Sequence, residues 1–200
     1  SPKFTIVKAR DTASFDGAAN DWWVYIGADA TQWRARLNLT NTGFQNNNDT
    51  GLLNQQNSGR LTLIANGPFR ESNVRYIAYC WAEIDGYSKI GSYTGNGSTD
   101  GPFVYCGFKP AFVMVKNMDR ADSWGIFDSS RDSVNPVQNL LRAEVSNTEA
   151  TMQSLVSNPF ADFLSNGFKI RNTSTIDNHN GEEYIFMAFA ESPFQTANAK

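Results

Sequence analysis

Tyr76-Ile77-Ala78-Tyr79-Cys80-Trp81-Ala82-Glu83 returns later in the chain as Tyr184-Ile185-Phe186-Met187-Ala188-Phe189-Ala190-Glu191, a shift of 108 residues (184 − 76). The same shift carries Pro2-Lys3-Phe4-Thr5-Ile6-Val7-Lys8 onto Pro110-Ala111-Phe112-Val113-Met114-Val115-Lys116. Between these anchors, residues 36–42 (RLNLTNT) match 142–148 (RAEVSNT), Asn66-Gly67 matches Asn166-Gly167, and Trp23 matches Trp124. The order is kept, and the offsets change as loop insertions and deletions would change them. Self-similarity of this kind organises a fold before any local pattern does, and it predicts two copies of one unit.

Each anchor is strand-like. Residues 76–81 and 184–189 are apolar, rich in aromatics and bounded by turn formers, a pattern that predicts strands buried on both faces. Shorter runs at 22–26, 61–65, 125–127 and 168–170 alternate with Gly, Asn, Asp and Ser at close intervals. Helix is confined to a turn or two within 136–146 and 150–156. About five strands per copy give about ten in all, within the size of two packed sheets. The expectation is an all-β chain, a β-sandwich (jelly-roll or concanavalin-like) built from two internal repeats. Residues 1–200 then form a single domain of repeat 1 (2–90), a Gly-rich connecting segment (91–109), repeat 2 (110–194) and a short tail (195–200). Two small tandem sandwiches are the alternative, although about 90 residues is lean for an independent core. The second copy is preceded by the glycine-rich segment 91–108, which the first copy lacks. The chain therefore reads as a piece of a longer polypeptide, cut ahead of the first repeat.

Composition narrows the function. Charged residues make up 18% and aromatics 13%, with a net charge of −3. Lys and Arg are scattered, which argues against nucleic acid, whose phosphates need clustered cations. No apolar run approaches the roughly 20 residues of a membrane span, and no secretory signal stands at the start. With two cysteines, Cys80 and Cys106, buried free thiols are the favoured reading over a disulfide. A single histidine, His179, leaves no room for a histidine-rich metal site and makes a Ser-His-Asp triad depend on that one residue. No P-loop or dinucleotide fingerprint is present.

Three loops draw attention: 41–59, amide-rich; 91–101, rich in small residues; and 172–183, polar and holding His179. Beside them, Trp33, Phe44, Tyr87 and Tyr93 offer aromatic faces on which a sugar ring stacks. Asn96 and Asp100 offer polar partners for its hydroxyls. Trp22, Trp23, Trp81 and Trp124 read as core. Glu83 and Asp85, one residue apart, project on one face if they lie in a strand, and glycoside hydrolysis needs two carboxyl groups. One β-sandwich glycosidase family uses Glu-x-Asp-x-x-Glu; Ser88 stands at the third position here, so no catalytic residue is assigned. Oxygen-rich runs at 46–49 and 177–182 are a weak pointer to calcium, and no cofactor is required. Asn-x-Ser/Thr sequons occur at Asn38, Asn48, Asn96 and Asn172 and matter only in a eukaryotic secretory setting.

Residues 76–116 (YIAYCWAEIDGYSKIGSYTGNGSTDGPFVYCGFKPAFVMVK), 124–131 (WGIFDSSR), 162–167 (DFLSNG) and 184–194 (YIFMAFAESPF) resemble an uncharacterised domain family of bacteriophage virion proteins. Its members end long tail-fibre-like or tail-associated chains and often follow concanavalin A-like, sugar-binding-type domains. The resemblance implies a non-enzymatic module on the virion surface or tail, binding host-surface glycan or protein and contacting other virion subunits, in a homo-oligomer. It carries over no site residues. A structural assembly or decoration subunit is the first alternative, and a glycan depolymerase using Glu83 and Asp85 is the second.

Overall fold

The computed structural model describes residues 2–11, 20–27, 33–45, 54–56, 60–62, 69 and 73–193. The chain divides into two compact units, one of Ser1–Leu39 and Gly43–Ala82, the other of Thr40–Thr42 and Glu83–Lys200. Among the described residues every strand pairing is antiparallel.

In the first unit, β1 (Phe4–Ala9), β2 (Trp23–Ile26), β3 (Trp33–Arg36), β4 (Phe44–Gln45) and β7 (Tyr76–Trp81) form a sheet in the order β4-β3-β2-β1-β7. The hairpin of β5 (Asn54–Gln56) and β6 (Arg60–Thr62) stands apart from it. Alternation places Val7, Trp23 and Tyr25 on one face, where they pack with Phe69 and Tyr76 into a buried cluster. The guanidinium groups of Arg34 and Arg36 lie over the Trp23 ring at 5.8 and 4.6 Å, covering the indole with cations and their aliphatic stems.

The second unit is sandwich-like. Its larger sheet comprises β8 (Ser88–Thr94), β10 (Pro110–Asn117), β11 (Trp124–Asp128), β12 (Asn139–Arg142), β13 (Ala150–Thr151) and β16 (Glu183–Ala190), ordered β13-β12-β11-β10-β16-β8. The smaller, β14-β15-β9, comprises β9 (Phe103–Tyr105), β14 (Ala161–Leu164) and β15 (Gly167–Ile170), and the one helix among the described residues, α1, is Met152–Val156. Val113, Val115, Phe127 and Phe186 from the larger sheet meet Val104, Phe163, Phe168 and Ile170 from the smaller one in a single core. Phe127 stacks on Phe160 at 3.7 Å, and Phe168 meets Phe186 edge-on at 5.6 Å. Gly167 is required in β15, because a Cβ there would lie 2.1 Å from the Val104 carbonyl oxygen. Among the described residues no helix is long and apolar enough to cross a membrane.

The two units share a pairing pattern. β1 meets β7 through Phe4↔Trp81, Thr5↔Cys80, Ile6↔Tyr79, Val7↔Ala78, Lys8↔Ile77 and Ala9↔Tyr76. β10 meets β16 through Phe112↔Phe189, Val113↔Ala188, Met114↔Met187, Val115↔Phe186, Lys116↔Ile185 and Asn117↔Tyr184. One offset of 108 (112 − 4, 189 − 81) relates all six pairs. Arg36 and Arg142 occupy matching stations, opposite Trp23 and Gly125. The register corrects the Trp23–Trp124 match by one residue: Val7 pairs with Trp23 and Val115 with Gly125, so Trp22 is the counterpart of Trp124.

Other expectations change as well. Residues 139–142, read as possible helix, form β12, while α1 falls within 150–156 as expected. Gly91 and the three residues after it, read as loop, belong to β8. Cys106 is buried but Cys80 is exposed, and both are free. β16 is buried almost throughout, as predicted, whereas β7 is not: Ile77 and Tyr79 keep 38% and 42% of their surface. The cause is tertiary, since β8 pairs along β16 while the outer side of β7 meets no strand among the described residues. Residues 46–49, 63–67 and 195–200, which carry parts of the loop, strand, calcium and tail expectations, lie outside the described residues.

Candidate functional site

The exposed side of β7 carries a row of aromatic rings. Tyr79 and Trp81, two residues apart on one strand, project to the same face and stack at 6.4 Å with 26° between their planes. Trp22, just ahead of β2, lies against Tyr79 as well, at 6.4 Å and 18°. Phe4 supports Trp81 edge-on at 5.7 Å. Trp22 keeps 37% of its surface, a large value for tryptophan. Polar groups hold it in place. Its backbone N–H donates to Asn38 Oδ1 at 2.9 Å, and Asn38 Nδ2 donates to Asp21 Oδ1 at 2.8 Å. Asp21 pairs with Arg36 at 3.3 Å. The Lys8 ammonium lies 5.9 Å from the Trp22 ring centre, and its Nζ donates to the Asn20 carbonyl. Near-parallel rings with exposed surface, flanked by carboxylate, amide and cation, are an arrangement able to pack against the apolar face of a sugar while hydrogen-bonding its hydroxyls.

The residues named from sequence fall in both units, Trp33 and Phe44 in the first and Tyr87, Tyr93, Asn96 and Asp100 in the second. Trp33 is half-buried on β3, opposite Ile26 and Gln45. Phe44 opens β4 beside Arg34, and its side chain lies outside the described residues. Tyr87 is half-buried and packs against Phe189 at 5.7 Å. Tyr93 is no open platform: it stacks on Tyr184 at 5.1 Å and donates its hydroxyl to the Asp177 carbonyl at 2.7 Å. Asn96 stabilises a turn, donating to the Asp100 carbonyl and accepting from Ser98 N–H. Asp100 is paired with Lys169 at 2.8 Å, and that hydrogen bond holds its carboxyl below the usual range.

The loop 172–183 is tied down by polar contacts. Asn178 Nδ2 donates to the carbonyls of Asn172 and Ser98, and its Oδ1 accepts from Asn96 N–H. Asp177 is wholly buried; its Oδ2 accepts from Asn172 at 3.1 Å and its Oδ1 has no partner. Burial pushes this carboxyl well above the normal carboxylate range. Glu182 is bound by Arg120 and Asn117 and held low, chiefly by Arg120. His179 Nδ1 lies 3.2 Å from Glu182 Oε1. Among the described residues no cluster of three or more His, Cys, Asp or Glu is placed to hold a metal.

Glu83 and Asp85 lie beyond the end of β7, on a turn closed by the Ile84↔Ser88 bridge, and not within a strand. They open onto a cleft of about 220 Å³ lined also by Ser88, Lys89, Tyr105 and Cys106. Glu83 is ion-paired with Lys89 at 2.8 Å.

A family model described as "Domain of unknown function (DUF7483)" matches residues 1–193. The chain belongs to this family. No curated protein and no solved structure matches it. Within this DUF7483 chain, sequence reasoning missed the row Trp22–Tyr79–Trp81 by assigning Trp22 and Trp81 to the core. A pointer was present: the segment 91–108, which supplies the strands beside β16 and β15, occurs once in the sequence and not twice.

Proposed function

We propose that this chain is a non-enzymatic adhesion module of a phage particle, displayed on a tail fibre or the virion surface, that binds host-surface glycan through Trp22, Tyr79 and Trp81. The exposed, stacked row of these three rings carries the reading. The resemblance of the sequence to phage virion domains supplies the setting. We further propose that the two units descend from one duplicated unit, which the shared offset of the β1·β7 and β10·β16 registers supports. A glycan array with the intact chain, with and without calcium, tests the binding. Trp22→Ala and Tyr79→Ala each weaken it by roughly 10–100-fold, the cost of truncating a central aromatic anchor. Binding unchanged in both variants rejects the row as the site.

The cleft holding Glu83 and Asp85 favours a second reading, glycan hydrolysis. Reducing-sugar release that disappears in Glu83→Gln would establish it, and release that survives the substitution would remove it.

A further inference from the structure

The outer edge of β7 is built to pair with another strand, and we propose that it joins a second copy of this chain, antiparallel, across a two-fold axis at Tyr79. The direction of the backbone comes from β1. Lys3 N–H donates to the Trp81 carbonyl and Arg10 N–H to the Arg75 carbonyl, so the odd-numbered residues of β7 bond to β1. Ala78 and Cys80 therefore turn their N–H and C=O groups outward, and both residues are exposed.

The matching edge in the second unit shows what such groups accept. β16, related to β7 by the common offset, carries β8 along its full outer side, with Gly91 opposite Phe186. A Cβ on Gly91 would press on the Phe186 ring at 3.1 Å. Ala78 stands where Phe186 stands, so the strand opposite β7 needs no glycine.

The sequence of β7 itself carries none of the residues that usually protect an edge. Between Tyr76 and Trp81 there is no charge, proline or glycine. The other sheet edges among the described residues are guarded: β4 and β13 have two residues each, β5, β6 and β9 have three each, β8 carries Lys89 and β14 carries Asp162. The β7 sequence is self-complementary about Tyr79. A two-fold there sets Ala78 opposite Cys80 of the second copy as a hydrogen-bonded pair. On the other face it sets Ile77 opposite Trp81 and Tyr79 opposite Tyr79, so that apolar side chains of both strands meet along the seam while the face of the sheet stays open. No like charges meet. This inference rests on the edge geometry and is independent of the glycan reading.

Sedimentation of the intact chain tests it. The native chain sediments with the mass of two chains. Ala78→Pro, which removes an N–H that β1 does not use, and Tyr79→Lys, which sets two cations face to face, both sediment with the mass of one. Circular dichroism confirms that both variants stay folded. In a Cys80→Ser background, Tyr79→Cys forms a disulfide-linked dimer on mild oxidation, because directly opposed residues of a wide pair bring their Cα atoms to about 4.5 Å. A native chain of single mass, or a dimer that survives both edge variants, overturns the proposal.

Discussion

Raising the pH from about 7 to about 9.5 stabilises the native chain relative to Lys116→Met. Lys116 on β10 is 0% exposed, set between Trp124 and Ile185 in the sheet. Its Nζ donates to the carbonyls of Asn117 at 2.7 Å and Arg120 at 3.4 Å, and among the described residues no carboxylate lies within ion-pair distance. Burial pushes the ammonium down from 10.5 to about 8, against the upward pull of Asp122 and Glu144. The unfolded lysine keeps its proton up to its ordinary pKa, whereas the folded one releases it near 8. Between those values the unfolded state binds more protons, so stability rises with pH. The full gap corresponds to about 3 kcal/mol at roughly 1.4 kcal/mol per pH decade. The Cys106 thiol, pushed up by burial to about 12, acts in the opposite sense from about pH 9, and above about pH 10 so do the buried hydroxyls of Tyr25, Tyr93 and Tyr184, because burial raises each of these groups and their unfolded forms ionise first. The usable window therefore ends near pH 9.5 and contains about 2 kcal/mol, a shift of about 1 M in the urea midpoint. Urea titrations of the native chain and Lys116→Met, compared at each pH, isolate the lysine from the other groups. Equal slopes in the two proteins refute the argument, since Lys116 then keeps its proton in the folded state.

Asp177 acts with the reverse sign. Its raised carboxyl contributes stability that is present below its unfolded pKa and is lost as pH rises through the folded value. Asp177→Asn, keeping an oxygen for Asn172 Nδ2, flattens that loss in thermal melts recorded across pH. Gly167→Ala drives a methyl into the Val104 carbonyl and separates β9 from β15; amide exchange of the β9 backbone accelerates, and stability falls by more than the roughly 1 kcal/mol that strand glycines usually cost.

Several features were legible in the sequence because they depend on local pattern. The strand at 76–81 matches β7 end to end, and 184–189 lies within β16. The match of residues 36–42 to 142–148 anticipated the equivalent stations of Arg36 and Arg142. Failures came where the outcome depends on distant chain. Residues 139–142 carry a leucine pair that suits helix or strand, and pairing with β11 and β13 decided for strand. Tyr93 looked like a loop aromatic because glycines surround it, yet its ring lies on Tyr184, 91 positions away (184 − 93). Asp100 looked like a free polar group and is paired with Lys169, 69 positions away (169 − 100), whereas Asn96 is taken up locally by the turn it closes.

By itself the sequence determined that the chain is β-structured, where its main strands run, and that β1·β7 and β10·β16 have the materials for one register. Those properties follow from side-chain alternation and turn chemistry, which act over a few residues. Only the tertiary structure decided which of two similar strands is covered. β16 and β7 share a pattern, but β8 pairs with β16, and β9 extends the sheet packed against its core face. Solvent exposure is a property of what a strand meets, and residues far along the chain supply that. For this reason Lys116 is buried while its counterpart Lys8 is half-exposed over Trp22, and Trp124 is core while Trp22 stands open.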